Sequence, residues 1–266
     1  MKRVQPDSSW PEMWKSVYGY DLAEVYGQPD VLGYAYAYEA RRDHALRLID
    51  SVLAPGARIL DLAAAQGNFT LALAEKGYRV SWNDLRAELA DYVRLKHECG
   101  EVAYLPGNVM DLAGLEPFDA VLMTEIIEHV AHPDEFLRQV AKLTRPGGHI
   151  VMTTPNGAYF KNGLPRFYDV ADPSVYESRQ FQPNAEGHIF LLHPQELERL
   201  CGEAGLELLE LTLFTNPLTT GHMKTEPLLR VLPRGAVHLV ERLSGLLPGA
   251  IQQRLLVHAA ALIRVP

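Results

Sequence analysis

A chain of 266 residues is long enough for one large core or two small ones. With 47% hydrophobic and 22% charged residues it is neither disordered nor collagen-like, and a net charge of −8 disfavours a nucleic-acid binder working through bulk charge. The two cysteines, Cys99 and Cys201, form no spaced framework, which excludes a disulfide-stapled domain and a cysteine-based zinc shell.

Residues 1–39 are rich in aromatics, among them Trp10, Trp14, Tyr18, Tyr34, Tyr36 and Tyr38, and fall outside any regular alternation. No apolar stretch follows Met1, so no signal peptide is expected and a cytoplasmic location is. From residue 55 onward Pro and Gly cut the chain into short apolar runs and longer amphipathic ones. Strands are predicted at 58–62, 78–82, 102–105, 118–124 and 149–153, with two more at 206–214 and 256–265. Helices are predicted at 70–76, 86–98, 134–144 and 194–204. The alternation predicts an α/β fold: a Rossmann-like, seven-stranded, mostly parallel sheet with helices on both faces, plus N-terminal and C-terminal lid segments. Residues 1–54 are expected to form an N-terminal lid and helix, and 55–266 one domain whose insertions 156–193 and 217–250 cap the substrate. The run 255–263 is interrupted by His258 and too short to span a bilayer.

Ligands in such sheets bind beyond the carboxyl ends of the strands, and every motif of interest follows a strand. The segment Ile59-Leu60-Asp61-Leu62-Ala63-Ala64-Ala65-Gln66-Gly67 leaves the first strand and opens a helix. It resembles the first motif of the class I S-adenosylmethionine-dependent methyltransferases, acid-x-Gly-x-Gly-x-Gly, with Ala63 and Ala65 at two glycine positions and only Gly67 retained. Alanine is tolerable there if its φ stays negative, and a ligand without a pyrophosphate makes weaker demands on the turn. The resemblance assigns Asp61, Ala63, Ala65 and Gly67 to the cofactor. It gives the ribose hydroxyls to Asp84, which also suits a helix cap, and the adenine edge to Asn108 and Val109, where an Asx turn is the alternative. Thr124 closes the list at the end of the fourth strand. Phe118-Asp119, Glu128-His129-Val130, Pro146-Gly147-Gly148 and Thr153-Thr154-Pro155-Asn156 extend the resemblance over 55–213.

Glu125, Glu128 and His129 are spaced i, i+3 and i+4, which places them on one face if a helical turn follows the strand. Together with His188 this pattern resembles two branches, the ubiquinone-biosynthesis O-methyltransferases and the small-RNA 3′-terminal 2′-O-methyltransferases. The resemblance implies catalytic roles for His129, His188 and Glu125. It also implies a divalent metal, Mg²⁺, Mn²⁺ or Zn²⁺, on Glu125, Glu128, His129 and His188. A histidine acting as general base is the metal-free alternative. His132 and His193, beside prolines, read as a turn residue and a helix-start residue.

Tyr34, Tyr36 and Tyr38 before Arg41-Arg42 suit a lid, and Arg166, Tyr168, Tyr176 and Arg179 are weaker candidates of that kind. The 225–247 segment mixes Leu and Val with Arg and reads as a cap on its own protein, with peripheral membrane contact as the alternative. The expected activity is methyl transfer from S-adenosyl-L-methionine to a hydroxyl of a small catechol-, sugar- or natural-product-like molecule. N-methylation of an amine, RNA 2′-O-methylation and non-catalytic binding of the cofactor are the alternatives.

Overall fold

The computed structural model describes residues 1–28, 31–180 and 187–266. Pro183 of the 156–193 connection lies outside the described residues. Seven strands form one sheet: β1 (Arg58–Leu62), β2 (Arg79–Asp84), β3 (Glu101–Pro106), β4 (Phe118–Thr124), β5 (Thr144–Pro155), β6 (Glu207–Phe214) and β7 (His258–Arg264), in the order β3-β2-β1-β4-β5-β7-β6. Only β7 runs against its neighbours β5 and β6. The chain reverses direction across the sheet between β1 and β4, and such a switch is the place where folds of this kind bind ligands, beyond the strands' carboxyl ends.

The elements follow from composition. Ala120 to Met123 of β4 are fully buried, as a strand covered on both faces requires. The helix α5 (Pro133–Leu143) starts with Pro at its first position, carries Asp134 and Glu135 in its first turn and buries Leu137 and Val140. At the start of α6 (Pro194–Glu203), His193 and Glu196 form a reciprocal capping box, so His193 is the helix-start residue expected. His132 meets Glu177 at 3.0 Å.

Two findings depart from expectation. Pro146-Gly147-Gly148 does not end a helix before a separate strand; it lies inside β5, where Gly147 takes φ +73° and the register against β4 shifts. Where a lid and one helix were expected, the described N-terminal residues hold two helices, α1 (Glu12–Glu24) and α2 (Leu32–Val52), whose aromatics mask the apolar period in sequence. Ala45, Leu48 and Ile49 of α2 are fully buried against Ile59, Ala260 and Leu262 of the sheet, at roughly 1.5–3 kcal/mol for each large side chain. On a helix the three tyrosines divide: Tyr38 packs edge-on to Phe69, Tyr34 donates to Glu24, and Tyr36 faces His238.

The helix α1 is tied to α3 (Asn68–Glu75) and α4 (Leu89–Lys96) by buried polar groups. Asp21 accepts from Asn68, Tyr92 and Lys96 at 2.7–2.8 Å, and Glu24 accepts from Gln66 and Asn68 at 2.8 Å. Asp21 and Lys96 are both fully buried, so removing either one strands the other charge. Cys99 and Cys201 are unbridged.

Candidate active site

The turn after β1 carries the first half of the site. Gly67 caps α3 in the left-handed region at φ +71°, and a Cβ there would lie 2.7 Å from a Val93 methyl. Ala63 and Ala65 also take positive φ, +53° and +47°. The expectation of negative φ at these alanines is therefore corrected: they hold the backbone shape that glycines would, at a cost of roughly 1 kcal/mol each. Their methyl groups leave the backbone approachable, so the turn fits an adenosyl ligand that carries no phosphate.

Asp84 ends β2 and faces this turn. Its Oδ2 accepts from Ala65 N–H at 2.9 Å, while Arg86 donates to both carboxylate oxygens at 2.8–2.9 Å and its N–H bonds Oδ1 at 2.9 Å. Asp84 thus caps the following turn and holds the alanine turn after β1 at once. The neighbouring Asn83 is committed elsewhere, donating to the Leu105 and Gly107 carbonyls at 2.6 and 2.8 Å. Asp61 is buried beneath the turn and accepts from Thr70 at 2.5 Å; burial pushes its carboxyl up to about 7. Asn108 forms the Asx turn, accepting from Met110 N–H at 3.2 Å and donating to Asp111 at 3.0 Å. The Val109 side chain is buried in the core cluster that includes Leu60 and Val121, which leaves only its backbone to face a ligand.

The second half follows β4. Thr124 is half-buried at its end. Glu125 then takes φ +54°, and the chain continues into a 3-10 turn over Ile127–His129. The expected single helical face is corrected accordingly, because a left-handed residue breaks the helical spacing between Glu125 and the pair Glu128 and His129. Glu125 pairs with Arg41 at 3.2 Å and accepts from Thr153 at 3.0 Å. Glu128, His129 and His188 come together instead, with one ligand atom from each within 4.8 Å of the others. His188 is brought in by its loop: Ile189 N–H donates to the Glu128 carbonyl at 2.7 Å, and Arg179 donates to the His188 carbonyl at 3.1 Å. The His129 and His188 rings meet edge to face with centroids 4.8 Å apart.

Electrostatics favour neutral groups here. Glu128 is fully buried, and burial followed by the nearby Glu125 charge raises its carboxyl well above the ordinary range. Burial, then the neighbouring His129, lowers His188. Thr154 donates to Glu128 Oε2 at 3.0 Å, while Oε1 is buried with no hydrogen-bond partner among the described residues. A carboxylate with an orphaned oxygen beside two imidazoles is a donor set that fits a divalent cation.

Three further residues border the same edge of the sheet and were not assigned from sequence. Arg41 of α2 was read only as part of a lid. Thr215, at φ +62°, and His258, at the start of β7, form a buried pair with Oγ1 and Nδ1 2.5 Å apart. Thr215 Oγ1 also donates to the Phe214 carbonyl at 2.6 Å, which assigns the shared proton to His258 Nδ1 and leaves Nε2 as the acceptor. Burial, then Arg41, His222 and His188, push His258 well below its ordinary value. In sequence His258 only interrupted an apolar run. The other expected lining residues serve structure: Tyr168 donates to Glu203, Arg166 lies 3.8 Å from Glu196, and Tyr176 packs on Phe190.

Residues 35–211 match the model of a family described as Methyltransferase domain. The Ubiquinone biosynthesis O-methyltransferase of Xanthomonas campestris pv. campestris (strain B100) is 38% identical over 109 residues, 40% of this chain and 46% of that protein. The protein of the same name from Azoarcus sp. (strain BH72) is 30% identical over 169 residues, 62% of this chain and 70% of its own length. The match to the Xanthomonas relative thus spans a little under half of that protein. Among solved structures, the Burkholderia thailandensis 1,6-didemethyltoxoflavin-N1-methyltransferase, with bound 1,6-didemethyltoxoflavin and S-adenosylhomocysteine, has a TM-score of 0.52 at 18% identity and covers 98% of this chain and 92% of that chain, a likeness of fold. The chain belongs to the methyltransferase domain family, on the fold shared by S-adenosylmethionine-dependent methyltransferases.

Proposed function

We propose that the protein transfers a methyl group from S-adenosyl-L-methionine to a hydroxyl of a small molecule. One observation carries the reading: the Asp84 turn and the Glu128–His129–His188 group lie at the carboxyl ends of strands of one sheet, the edge at which such folds bind ligands. The O-methyltransferase relatives support the same acceptor class. The donor, when bound, supplies an electrophilic sulfonium methyl. Asp84 would accept the ribose hydroxyls once Arg86 releases its oxygens, and the alanine turn would lie against the adenosyl group.

A hydroxyl is a weak nucleophile until its proton is taken or weakened. Burial holds His188 and His258 neutral; in the metal-free alternative His188, with no cation on it, would take that proton, while His258, pushed further below its ordinary value, is the weaker base of the two. Thr215 fixes the tautomer of His258 so that Nε2 is the basic atom. Arg41 and Thr153 hold Glu125, which puts Glu125 in a positioning role for the turn that carries Glu128 and His129. Glu128, His129 and His188 would hold a divalent cation, which when bound would acidify and orient an acceptor hydroxyl. An acceptor with adjacent hydroxyls suits that arrangement.

The test is transfer of labelled methyl to a panel of catechols and dihydroxy compounds, with and without added Mg²⁺, Mn²⁺ or Zn²⁺. Glu128→Ala and His188→Ala should each cut transfer by roughly two orders of magnitude, the scale of a lost acid–base group, while cofactor binding survives. Unchanged turnover in both variants overturns the assignment.

A further inference from the structure

The connection between β6 and β7 turns an apolar face outward. On α8 (Arg234–Ser244) and its continuation, Leu239, Leu243 and Leu246 recur at i, i+4 and i+7, one face of a helix, and are 54%, 55% and 80% exposed. Leu228 of α7 (Glu226–Leu229), Val231, and Ile251 of α9 (Gly249–Leu255) are further exposed apolar side chains of the same connection; Val231 is 77% exposed. The inward side of α8 is a different set, Val237 and Ser244. A cap that only covered its own protein would bury the leucines and expose the serine.

Charge on this connection is one-sided. It carries Lys224, Arg230, Arg234, Arg242 and Arg254, all at the surface, against Glu226 and Glu241. Both acids are turned to backbone: Glu226 caps the start of α2 through Leu32 and Gly33 N–H at 2.7 and 3.0 Å, and Glu241 accepts from Asn216 N–H at 2.9 Å. Arg234 also reaches Glu39 at 3.1 Å. A cationic, leucine-bearing face on a protein of net charge −8 is a local exception that needs a partner.

We propose that this face docks on an anionic lipid bilayer, with Leu239, Leu243, Leu246 and Val231 entering the headgroup boundary and the arginines meeting lipid phosphates. A second copy of the chain fits less well, because a two-fold contact would set arginine against arginine. The contact is peripheral, since no described helix is long and apolar enough to cross a membrane. The face hangs from the end of β6 and the start of β7, the sheet edge that also carries Thr215 and His258, so docking brings that edge close to lipid.

Flotation of the full chain with vesicles tests this independently of any methyl transfer. With mixed phosphatidylcholine–phosphatidylglycerol vesicles at low salt, the parent should float about tenfold more than with phosphatidylcholine alone. The triple variant Leu239→Ser, Leu243→Ser, Leu246→Ser should lose most of that binding, and Arg230→Gln with Arg242→Gln and Arg254→Gln should lose the preference for anionic lipid. Leu209→Ser, at an exposed leucine of β6 outside this connection, should float as the parent does. All these sites are solvent-exposed, so a normal melting temperature certifies each fold. A parent that floats with neither vesicle, or a triple serine variant that floats as well as the parent, overturns the proposal. So does a parent dimer that the serine variant converts to monomer without any flotation, which assigns the face to a second copy.

Discussion

Replacing Ala63 and Ala65 by glycine should make the protein more stable, against the usual cost of adding glycine. Both alanines sit in the left-handed region, where an L side chain costs roughly 1–2 kcal/mol through the clash of Cβ with its own carbonyl. Glycine removes that clash but adds about 0.4–1 kcal/mol of unfolded-state freedom. The net gain is roughly 0.5–1 kcal/mol for each site, and the two share one turn, so the pair need not add. For a chain of this size each kcal/mol moves the melting temperature by about 2–4 °C. Ala64 lies between them with φ not positive and supplies the control. Ala64→Gly should lower the midpoint by a comparable amount, because it adds freedom and relieves nothing. Thermal denaturation of the three single variants, followed by circular dichroism, reads the differences. If Ala63→Gly and Ala65→Gly melt as low as Ala64→Gly, the turn is not left-handed and the strain argument fails.

Three other outcomes follow from the buried groups. Asp61 is held protonated up to about pH 7, so its stability contribution is present below the ordinary aspartate range and is lost as pH rises through 7. Asp61→Asn keeps the Thr70 contact and should melt several degrees above the parent at pH 8, by a clearly smaller margin at pH 5, and level with it only below about pH 4; an upper bound of roughly 4 kcal/mol follows from the shift, and a margin that does not grow between pH 5 and pH 8 contradicts it. His258 has the opposite sign: its folded value lies below the unfolded one, so stability is lost as pH falls through the ordinary histidine range. Arg41, His222 and His188 all bear on it, and His258→Gln should flatten the fall in melting temperature between pH 7 and pH 5; an unchanged slope removes His258 as its source. Arg86→Ala frees the Asp84 oxygens and should tighten cofactor binding about fivefold, a modest effect because the guanidinium is half in water; calorimetry showing weaker binding would make Arg86 a cofactor contact instead.

The seven strands and the mostly parallel sheet were legible because apolar runs alternate with amphipathic ones and each motif follows a strand. Gly67 and Asp84 could be placed from their neighbours along the chain, and His188 from its resemblance to a family pattern. Other features depend on contacts that no local spacing encodes. Glu125 looked like a helical neighbour of Glu128, yet a single left-handed residue sends it to Arg41, more than eighty positions earlier. Thr215 and His258 lie on different sides of a long connection and meet only because β6 pairs with β7. Val109 and Asn108 are adjacent in sequence but part ways in space, one to the core and one to a local turn.

Titration of the purified protein with S-adenosylhomocysteine in a calorimeter reads the adenosyl crevice directly. A single saturable site is expected, weakened more than tenfold by Asp84→Asn, since the lost carboxylate would forfeit two charge-assisted hydrogen bonds. A parent that produces no binding heat, or an Asp84→Asn variant that binds as tightly as the parent, contradicts the account.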